Sequence, residues 1–413
     1  MTFSLRLLSL SLAGLSLAAC SEDVSSATAA TAASGGTLSA LPDGAKGGGD
    51  KSLQKNLADP APAGSLALDV ETVADGLVNP WDISFLPDGD ILVTEREGRI
   101  RIIRNGVLLD EPVANAPKPL VWNQSGYFDI LPHPDFIENR TVFFSFAHGD
   151  KDGNALRVIS ATLRDDALSD IRVIYDVKPL KDTGHHYGGK LVIGPDEKLY
   201  ISSGEGSRYK EKSQDLTSSF GAIIRINQDG SIPTDNPAFK NGALPELFTK
   251  GHRNPQGLAY DPVTDTMWAH EHGARGGDEI NEIVAGANYG WPVATYGIDY
   301  NGARISPFTE FDGTKLPFKY WTPSIAPSGL AVYRGGAFPA DWQGDLLVGA
   351  LAGKALHRVD LEDGVEVKEE RYLVDLGARI RDVRVGPHGA IWVTTESRSG
   401  EPTGRLLRLT PAS

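Results

Sequence analysis

The sequence predicts an all-β protein, a six-bladed β-propeller built from four-stranded antiparallel blades. Three observations indicate this fold class. A strand–turn–strand phrase recurs six times between Ile83 and Glu396. The turns contain Pro, Gly and Asp, which suit tight connections between strands. No segment combines a long 3.6-residue apolar period with helix caps.

The six copies differ in length but keep one pattern. The first, "ISFLPDGDILVTE" from Ile83 to Glu95, is an apolar strand, a Pro-Asp-Gly turn and a second strand. The others are centred on Pro134, Pro195, Pro262, Pro339 and Pro387. β-Branched and aromatic residues alternate in each copy, as in half-buried strands. A β-sandwich or a β-helix is the alternative. The wide central spacings predict long loops in blades three to five, gathered at one mouth of the channel.

The N-terminus has the composition of an export signal. Residues 1–19 carry one early cation, Arg6, before a short apolar run rich in small residues. The run ends in Leu17-Ala18-Ala19-Cys20, which resembles a bacterial lipobox, where the cysteine is lipidated. The alternative is a plain signal peptide with a chance cysteine. Because Cys20 is the only cysteine, we expect no disulfide and a periplasmic protein lipid-anchored to the outer membrane.

The rest of the chain divides into a tether and one domain. Residues 20–64 are mostly Ser, Ala, Gly and Asp, so they cannot bury enough surface to offset ordering entropy and should form a flexible tether. Residues 65–413 are predicted to form the propeller. The net charge of −14 argues against a nucleic acid partner. No later run is apolar enough to cross a membrane, so we expect membrane contact only through the lipid anchor.

Four stretches concentrate chemically useful residues. They are "GHHYGG" with His185 and His186, "KGHRNPQG" with Arg253, the Gly-rich run from His270 to Glu279, and "RIR" with Arg379 and Arg381. Adjacent residues on an extended chain point to opposite sides, so at most one of the paired histidines serves a given site. Arg379 and Arg381 share one strand face. They form either a solvated edge or, with Arg253, a receptor for a small polyanion.

The Gly-rich run suggests a metal site. Asp278 and Glu279 offer hard oxygen ligands and the Gly turns let backbone carbonyls point inward, a combination suited to Ca²⁺. A Zn²⁺ site would use His270 and His272 with one of the paired histidines, but a third ligand at a defined spacing is missing. Ligand type therefore favours Ca²⁺. A tight turn with capping carboxylates is the alternative without a metal.

Together these stretches resemble the soluble PQQ-dependent glucose/sorbosone dehydrogenases, and among them the periplasmic aldose sugar dehydrogenases. The similarity runs from about Leu66 to Pro411 and includes "NPWDISFLPDGDILVTER", "QSGYFDILPHPDF", "HHYGGKLVIGPDEKLY", "GHRNPQGLAYD", "EHGARGGDEIN", "NYGWP", "TPSIAPSGL" and "RIRDVRVGP". The family is a six-bladed propeller, the number also reached from the repeats. The resemblance implies oxidation of aldose sugars at C1 to lactones, by hydride transfer to PQQ with Ca²⁺ assistance, and an electron acceptor that the sequence does not identify.

The resemblance implies three catalytic residues. His186, which directly precedes Tyr187-Gly188-Gly189, matches the general base that takes the proton of the C1 hydroxyl. Glu205 matches an aspartate that orients the base, with one methylene more. Arg253 is expected near the reacting carbonyl, where it would stabilise developing negative charge. His185 replaces an aspartate of glucose-active members, so the sugar pocket is not simply inherited.

The resemblance also implies the cofactor and metal ligands. The PQQ-binding set is Gln124, Arg253, Asn254, Pro323, Ser324, Arg379 and Arg381. PQQ carries three carboxylates, and three arginines match that charge. The catalytic Ca²⁺ would bind the carbonyls of Gly273 and Ala274. A second, structural Ca²⁺ would bind Glu279, the carbonyl of Tyr289 and Asp299.

One departure and two alternative functions remain open. A lysine of some members corresponds to Ala352 here, with Lys354 two positions on. A Ca²⁺-dependent lactonase is the first alternative, but such enzymes place carboxylates and Asn around a central metal, and no such set is evident. A non-catalytic carbohydrate- or protein-binding propeller is the second. A degraded site should have lost some of its base and arginines, which are all present.

Overall fold

The computed structural model describes residues 46–47, 60–240, 242–396 and 400–412. Within these ranges the chain forms six four-stranded sheets and one two-stranded pair, all antiparallel. The predicted all-β, six-bladed propeller is confirmed. The predicted signal peptide and lipobox, residues 1–20, lie outside the described residues. No helix in the described part has the length and apolar character of a membrane span.

The first three blades follow each other along the chain. Strands β1 (Lys46–Gly47) and β2 (Leu68–Leu77) precede them. Blade one contains β3 (Pro80–Phe85), β4 (Ile91–Glu95), β5 (Arg99–Arg104) and β6 (Val107–Leu108). Blade two contains β7 (Tyr127–Pro132), β8 (Thr141–Gly149), β9 (Asn154–Arg164) and β10 (Ala167–Asp176), with the helix α1 (Phe136–Asn139) after β7. Blade three contains β11 (Gly188–Ile193), β12 (Leu199–Ser203), β13 (Ala222–Ile226) and β14 (Leu247–Lys250).

The last three blades complete the ring. Blade four contains β15 (Pro255–Asp261), β16 (Thr266–Glu271), β17 (Asp278–Glu282) and, after β18 (Phe308–Glu310), β19 (Lys319–Trp321); β18 pairs with β1 instead. Blade five contains β20 (Pro327–Val332), β21 (Leu346–Ala350), β22 (Ala355–Glu362) and β23 (Val365–Tyr372). Blade six contains β24 (Arg379–Val385), β25 (Ile391–Glu396), β26 (Gly404–Pro411) and, outermost, β2. Short 3₁₀ turns lie at Lys210–Gln214, Ala340–Trp342, Val374–Leu376 and Pro387–Gly389.

Each predicted repeat corresponds to the first two strands of one blade. In the first copy the Pro-Asp-Gly turn closes the β3–β4 hairpin, and Gly89 takes the left-handed φ of +95° there. Its amide donates to the Leu86 carbonyl at 3.0 Å. The first strands β3, β7, β11, β15, β20 and β24 each contact the next, and β24 contacts β3. These six strands therefore surround the central channel.

The long loops are divided between the two ends of the propeller. The β12–β13 connection of blade three lies at the end where the first strands begin. The long connection of blade four returns to that end, where Ile298 bridges Arg275. In blade five, however, the added residues lie between β20 and β21. Because β20 runs away from the mouth, that loop is at the opposite end, and the predicted gathering of long loops is only partly observed.

Both ends of the described domain meet in blade six. Strand β2 pairs with β26 from Leu68 opposite Pro411 to Leu77 opposite Gly404. The N-terminal strand thus completes a blade whose other three strands come from the C-terminus. Backbone hydrogen bonds therefore close the ring, and blades one and six cannot separate without breaking them.

Part of the predicted tether packs on the propeller. Ala63 forms a parallel bridge with Arg371 of β23. The Gly64 amide donates to the Arg371 carbonyl, and the Arg371 amide donates to the Pro62 carbonyl, both at 2.9 Å. Ordered packing therefore includes several residues that precede the predicted boundary at residue 65.

Buried ions fill the middle of the channel. Lys190 of β11 contacts Asp82 at 2.5 Å, Asp382 at 3.4 Å and Asp129 at 3.7 Å. Arg384 contacts Asp82 at 2.5 Å and Asp129 at 3.4 Å. These residues come from β3, β7, β11 and β24. Since an unpaired buried charge is strongly destabilising, the network ties four innermost strands together.

The network predicts a large effect of Lys190→Met, which leaves the buried aspartates with one cation. We expect the free energy of unfolding to fall by about 3–5 kcal/mol, as when a buried pair loses a partner, measured by chemical denaturation. The control, Lys212→Met, breaks an ion pair whose lysine is 42% exposed. That loss should be about 1 kcal/mol or less. Equal losses in the two variants would contradict the role of the network.

Candidate active site

A cavity of about 250 Å³ lies at the end of the channel where the first strands begin. All six blades contribute to it. Its lining comprises Asn79, Trp81, Arg96, Gln124, Phe128, Tyr187, Gly188, Asn254, Gln256, His272, Ala326, Leu351, Arg379, Arg381 and Glu396. A larger groove of about 590 Å³ lies at the opposite end, between blades one and two. None of the predicted site residues lines that groove.

The predicted base lies beside this cavity, in the connection that leads into β11. His186 has a left-handed φ of +50° and is buried. Its backbone amide donates to Oε1 of Gln124 at 3.0 Å. Its Nδ1 lies 2.6 Å from Oε1 of Glu205. A carboxylate is the natural acceptor for Nδ1–H, so we assign this tautomer, which leaves the Nε2 lone pair available for a proton.

Burial controls the electrostatics of this pair. Burial lowers the pKa of His186 well below 6.5, and the Arg253 and Lys181 cations lower it further. Burial also raises the pKa of Glu205 to about 7, although the same two cations oppose that shift. The imidazole is therefore neutral at neutral pH, the state that a general base requires. The additional methylene of Glu205 does not prevent a short contact.

Arg253 lies between the base and a second, smaller cavity. Its backbone amide donates to Oε2 of Glu271 at 2.5 Å, and its carbonyl accepts from the Glu205 amide at 2.9 Å. Its Nη1 donates to the carbonyls of His272, at 3.1 Å, and Gly273. Arg253 lines this smaller cavity and not the cavity of about 250 Å³ at the mouth, which is called the larger cavity below. The structure thus brings Arg253 next to Glu205 and to the predicted metal loop.

The two predicted arginines of β24 do line the cavity. Arg379 and Arg381 bind the buried carboxylate of Glu396 at 3.1 and 2.9 Å. Burial raises the pKa of Glu396, but the two guanidinium groups outweigh it and hold that pKa below its ordinary value. Their side chains are only 17% and 11% exposed. The pair is therefore part of a pocket and not a solvated edge.

Sequence reasoning missed Arg96 and Glu396, although the repeats contained the signal. Both residues occupy the position at or just past the end of the second strand, in copies one and six. His272 and Leu351 hold the same position in copies four and five. All four line the cavity. Since every second strand ends at this mouth, alignment of the copies would have identified this position as a candidate for cavity lining, although its equivalents in copies two and three do not line the cavity.

Two predicted polar residues face the cavity. Gln124 lies on the connection before β7 and Asn254 on the one before β15. Asn254 Oδ1 accepts from the Gly188 amide at 3.2 Å. Both residues therefore line the cavity and also fix the backbone around the base.

Pro323 and Ser324 do not line the cavity. The Ser324 hydroxyl donates to Oδ2 of Asp278 at 2.7 Å. The Oδ1 atom of Asp278 accepts from the Gly273 amide at 2.8 Å. Ser324 thus supports the loop that carries Gly273 and does not face the predicted cofactor pocket.

The smaller cavity has a volume of about 10 Å³ and is lined by some of the residues predicted to bind metal ions. Burial and the neighbouring carboxylate of Glu271 raise the pKa of Glu279 well above 4.5. Asn281 Nδ2 lies between the two carboxylates, 3.4 and 3.2 Å from their oxygens. A divalent cation would relieve the repulsion between them. Of the predicted ligands, those that line this cavity are Gly273, Glu279 and Tyr289.

The structure places the other two predicted metal ligands differently. Ala274 is buried next to Gly273 and forms a bridge with Gly276. Asp299 does not line the small cavity. Its Oδ1 accepts from the Asn301 amide at 3.1 Å and closes its own turn. Glu271, which the sequence did not suggest, is the second carboxylate at this place.

The Zn²⁺ alternative has no support in the described part of the chain. His270 Nε2 lies 3.1 Å from the Gly329 carbonyl, and His272 Nε2 lies 2.6 Å from the Pro327 carbonyl. Both imidazoles therefore link blade four to blade five. Across the described ranges, no three His, Cys, Asp or Glu residues cluster in a way that could hold a metal ion. Lys354 is exposed on the β21–β22 turn and does not line the cavity.

The site predicts that His186 stays neutral. In ¹⁵N-histidine NMR, its ring should titrate well below pH 6.5. Arg253→Met should raise the midpoint, because a neighbouring cation that opposes protonation is lost. Arg208→Met, which removes a side chain that is 65% exposed and paired with Asp182, should leave it unchanged. A wild-type midpoint at or above 6.5 would contradict the electrostatic description.

Comparison with known proteins identifies related sequences. The family profile described as Glucose / Sorbosone dehydrogenase matches residues 77–408. An aldose sugar dehydrogenase of Escherichia coli is 38% identical over 357 residues, which cover 84% of this chain and 94% of the relative. Quinoprotein glucose dehydrogenase B of Acinetobacter calcoaceticus is 27% identical over 422 residues, 82% of this chain and 87% of the relative.

Solved structures agree with these sequence relationships. The apo-form of the soluble aldose sugar dehydrogenase from Escherichia coli superimposes with a TM-score of 0.79 at 37% identity, over 84% of this chain and 100% of that chain. The PQQ-bound form of aldose sugar dehydrogenase from Streptomyces coelicolor gives a TM-score of 0.68 at 27% identity, over 85% and 100%. Each alignment includes nearly all of the propeller.

Proposed function

This chain belongs to the glucose/sorbosone dehydrogenase family, and from that premise we propose that it oxidises aldose sugars at C1 to lactones with PQQ and Ca²⁺. The observation that carries the proposal is the buried His186–Glu205 pair beside a cavity lined by Arg379 and Arg381. Its relatives' names support sugar oxidation, and one solved relative is a PQQ-bound form.

The larger cavity fits the charge of PQQ. A tricarboxylate needs several cations to balance its charge. Arg96, Arg379 and Arg381 all line the cavity. Arg253 lines the adjoining smaller cavity. The Nε atoms of Arg96, Arg253 and Arg381 are buried without hydrogen-bond partners in the described chain. Gln124 and Asn254 would add amide contacts. When bound, PQQ would supply a quinone that accepts a hydride from the sugar.

His186 is proposed to accept the proton of the C1 hydroxyl at Nε2. The neutral imidazole can take that proton, and the Glu205 carboxylate would then stabilise the imidazolium. Arg253 lies close to both residues. Its guanidinium would stabilise negative charge that develops on the oxygen atom of the reacting carbonyl. Burial of all three residues keeps these interactions strong because bulk water is excluded.

The small cavity fits a hard divalent cation. We propose that the carbonyls of Gly273 and Ala274 hold the catalytic Ca²⁺, which would act as a Lewis acid. Glu279 and the Tyr289 carbonyl would hold a second ion. The adjacent buried carboxylates of Glu271 and Glu279 support the second ion, since a buried pair of like charges favours a bound cation. Asp299 does not line the small cavity, so its position gives no support to its predicted role as a ligand of the second ion.

The cellular context is also a proposal. We propose export through residues 1–19, a lipid anchor on Cys20, and a periplasmic site at the outer membrane. The electron acceptor is an unidentified partner. A lactonase is disfavoured because the carboxylate that lines the larger cavity, Glu396, is bound by two arginines. A non-catalytic role is disfavoured because the His186–Glu205 pair and the cavity arginines are all retained together.

Reconstitution tests the proposal. Apo-protein mixed with PQQ and Ca²⁺ should reduce a dye in the presence of one or more aldoses from a panel. His186→Gln should retain PQQ binding and lose roughly 10²–10⁴-fold in kcat, the contribution of a general base. The control His388→Gln, in the exposed β24–β25 turn, should keep full activity. No dye reduction with any aldose would overturn the proposed function.

Calcium titration tests the metal assignment. CaCl₂ should raise the melting temperature of the wild-type protein, with about 2.7 kcal/mol of stabilisation at a hundredfold excess over Kd. Glu279→Gln should lose the part of that shift that comes from the second ion, for which Glu279 is the proposed ligand. The control Glu282→Gln alters a neighbouring side chain that is 49% exposed and pairs with Lys315, and should retain it. A full shift in Glu279→Gln would place the ion elsewhere.

A further inference from the structure

Lys181 is a buried lysine whose charge lowers the pKa of His186 but whose direct contacts have no role in the proposed chemistry. Lys181 is the first residue of the segment that leads to the candidate base His186, and only 3% of its surface is exposed. Among the described residues, no carboxylate lies within 4 Å of its Nζ. Burial lowers its pKa well below 10.5. Because burying an amino group without an ion pair is unfavourable, its position calls for a local explanation.

The amino group of Lys181 holds three consecutive residues at the base. Its Nζ donates to the His185 carbonyl and, at 3.2 Å, to the His186 carbonyl. The same atom lies 3.4 Å from the centroid of the Tyr187 ring. The lysine side chain therefore satisfies the His185 carbonyl and shares the His186 carbonyl with a backbone amide, that of Gly206.

The backbone of Lys181 is itself clamped. Its amide and its carbonyl pair with the carbonyl and amide of Asn154, each at 2.9 Å. The Asn154 side chain accepts from the Tyr187 hydroxyl at 2.5 Å. The segment from Lys181 to Tyr187 is thus closed at both ends on the first residue of β9, and the lysine side chain spans its interior.

The aliphatic part of Lys181 also packs on the loop that carries Glu205. A Cβ at Gly206 would lie 3.0 Å from Lys181 Cδ, so the glycine permits this approach. The Gly206 amide donates to the His186 carbonyl at 3.2 Å. Lys181 therefore lies between the two backbone segments that bring the imidazole and its carboxylate partner together.

The conformation of His186 explains why such support is needed. A left-handed φ is unfavourable for a residue with a side chain, and it persists where the surroundings over-determine it. Gln124 holds the His186 amide, while Lys181 and Gly206 hold its carbonyl. Of these three, Lys181 also holds the preceding carbonyl, at His185.

We propose that Lys181 is a positioning residue for the base. Its amino group fixes the turn at His186 so that the imidazole keeps its contact with Glu205 and its orientation toward the sugar. This inference rests on the proposed function for its kinetic consequence. Its structural consequence, the geometry of the His186–Glu205 contact, can be measured without any turnover.

Steady-state kinetics of the reconstituted holoenzyme test the proposal. Lys181→Met should lose roughly 10- to 100-fold in kcat, the effect of a misplaced catalytic group, with KM and PQQ affinity nearly unchanged. The control Lys178→Met lies in the same connection, with a side chain 54% exposed and paired with Glu246. It should keep the kcat and PQQ affinity of the wild type, with any loss confined to stability because Glu246 is only 2% exposed. An unchanged kcat in folded Lys181→Met, or equal losses in kcat and PQQ affinity, would overturn the proposal.

Proton NMR of the apo-protein provides the independent readout. The strongly hydrogen-bonded Nδ1 proton of His186, identified by its loss in His186→Gln, should shift upfield or vanish in Lys181→Met and persist in Lys178→Met. If Lys181→Met fails to fold, Lys181→Gln, which keeps a polar donor, should show a smaller change of the same kind. An unchanged signal overturns the positioning role. If wild-type holoenzyme oxidises no aldose, the proposed function fails while this signal still decides the role of Lys181.

Discussion

Backbone pairing between β2 and β26 is the constraint on which the rest of the structure depends. It joins the two ends of the propeller in blade six and so holds six first strands in a ring. The cavity exists only in the closed ring, because its lining extends from Asn79 in blade one to Glu396 in blade six. The charges of the channel strengthen this closure, since Asp82 of blade one meets Lys190 of blade three and Arg384 of blade six.

Burial gives the site its chemical character. The protein carries a net charge of −14, yet four arginines surround the two adjoining cavities at the mouth. Exclusion of water makes His186 a neutral base and Glu205 a more basic carboxylate. The same low-polarity surroundings strengthen the electrostatic interactions of each cation and each backbone donor relative to those at the surface. The contact between His186 and Glu205 therefore depends on how firmly their backbone segments are held.

The sequence predicted the parts of the site that local patterns reveal. The repeats identified the blades, and the resemblance pointed to His186, Glu205, Arg379 and Arg381, all of which lie at or near the cavity. It did not reveal that Ser324 supports Asp278 or that Asp299 closes its own turn. Those outcomes depend on side-chain directions in irregular connections, which no periodicity encodes.

By itself the sequence determined the blade count, the all-β class and the candidate base, because turn chemistry, strand alternation and family motifs are local properties of the chain. Only the tertiary structure decided which of the aligned strand ends line the cavity, and that Lys181 reaches back to the carbonyls of His185 and His186. Both outcomes depend on closure of the ring or on the fold of an irregular connection. Their energies come from burial and charge, which exist only once the blades have packed together.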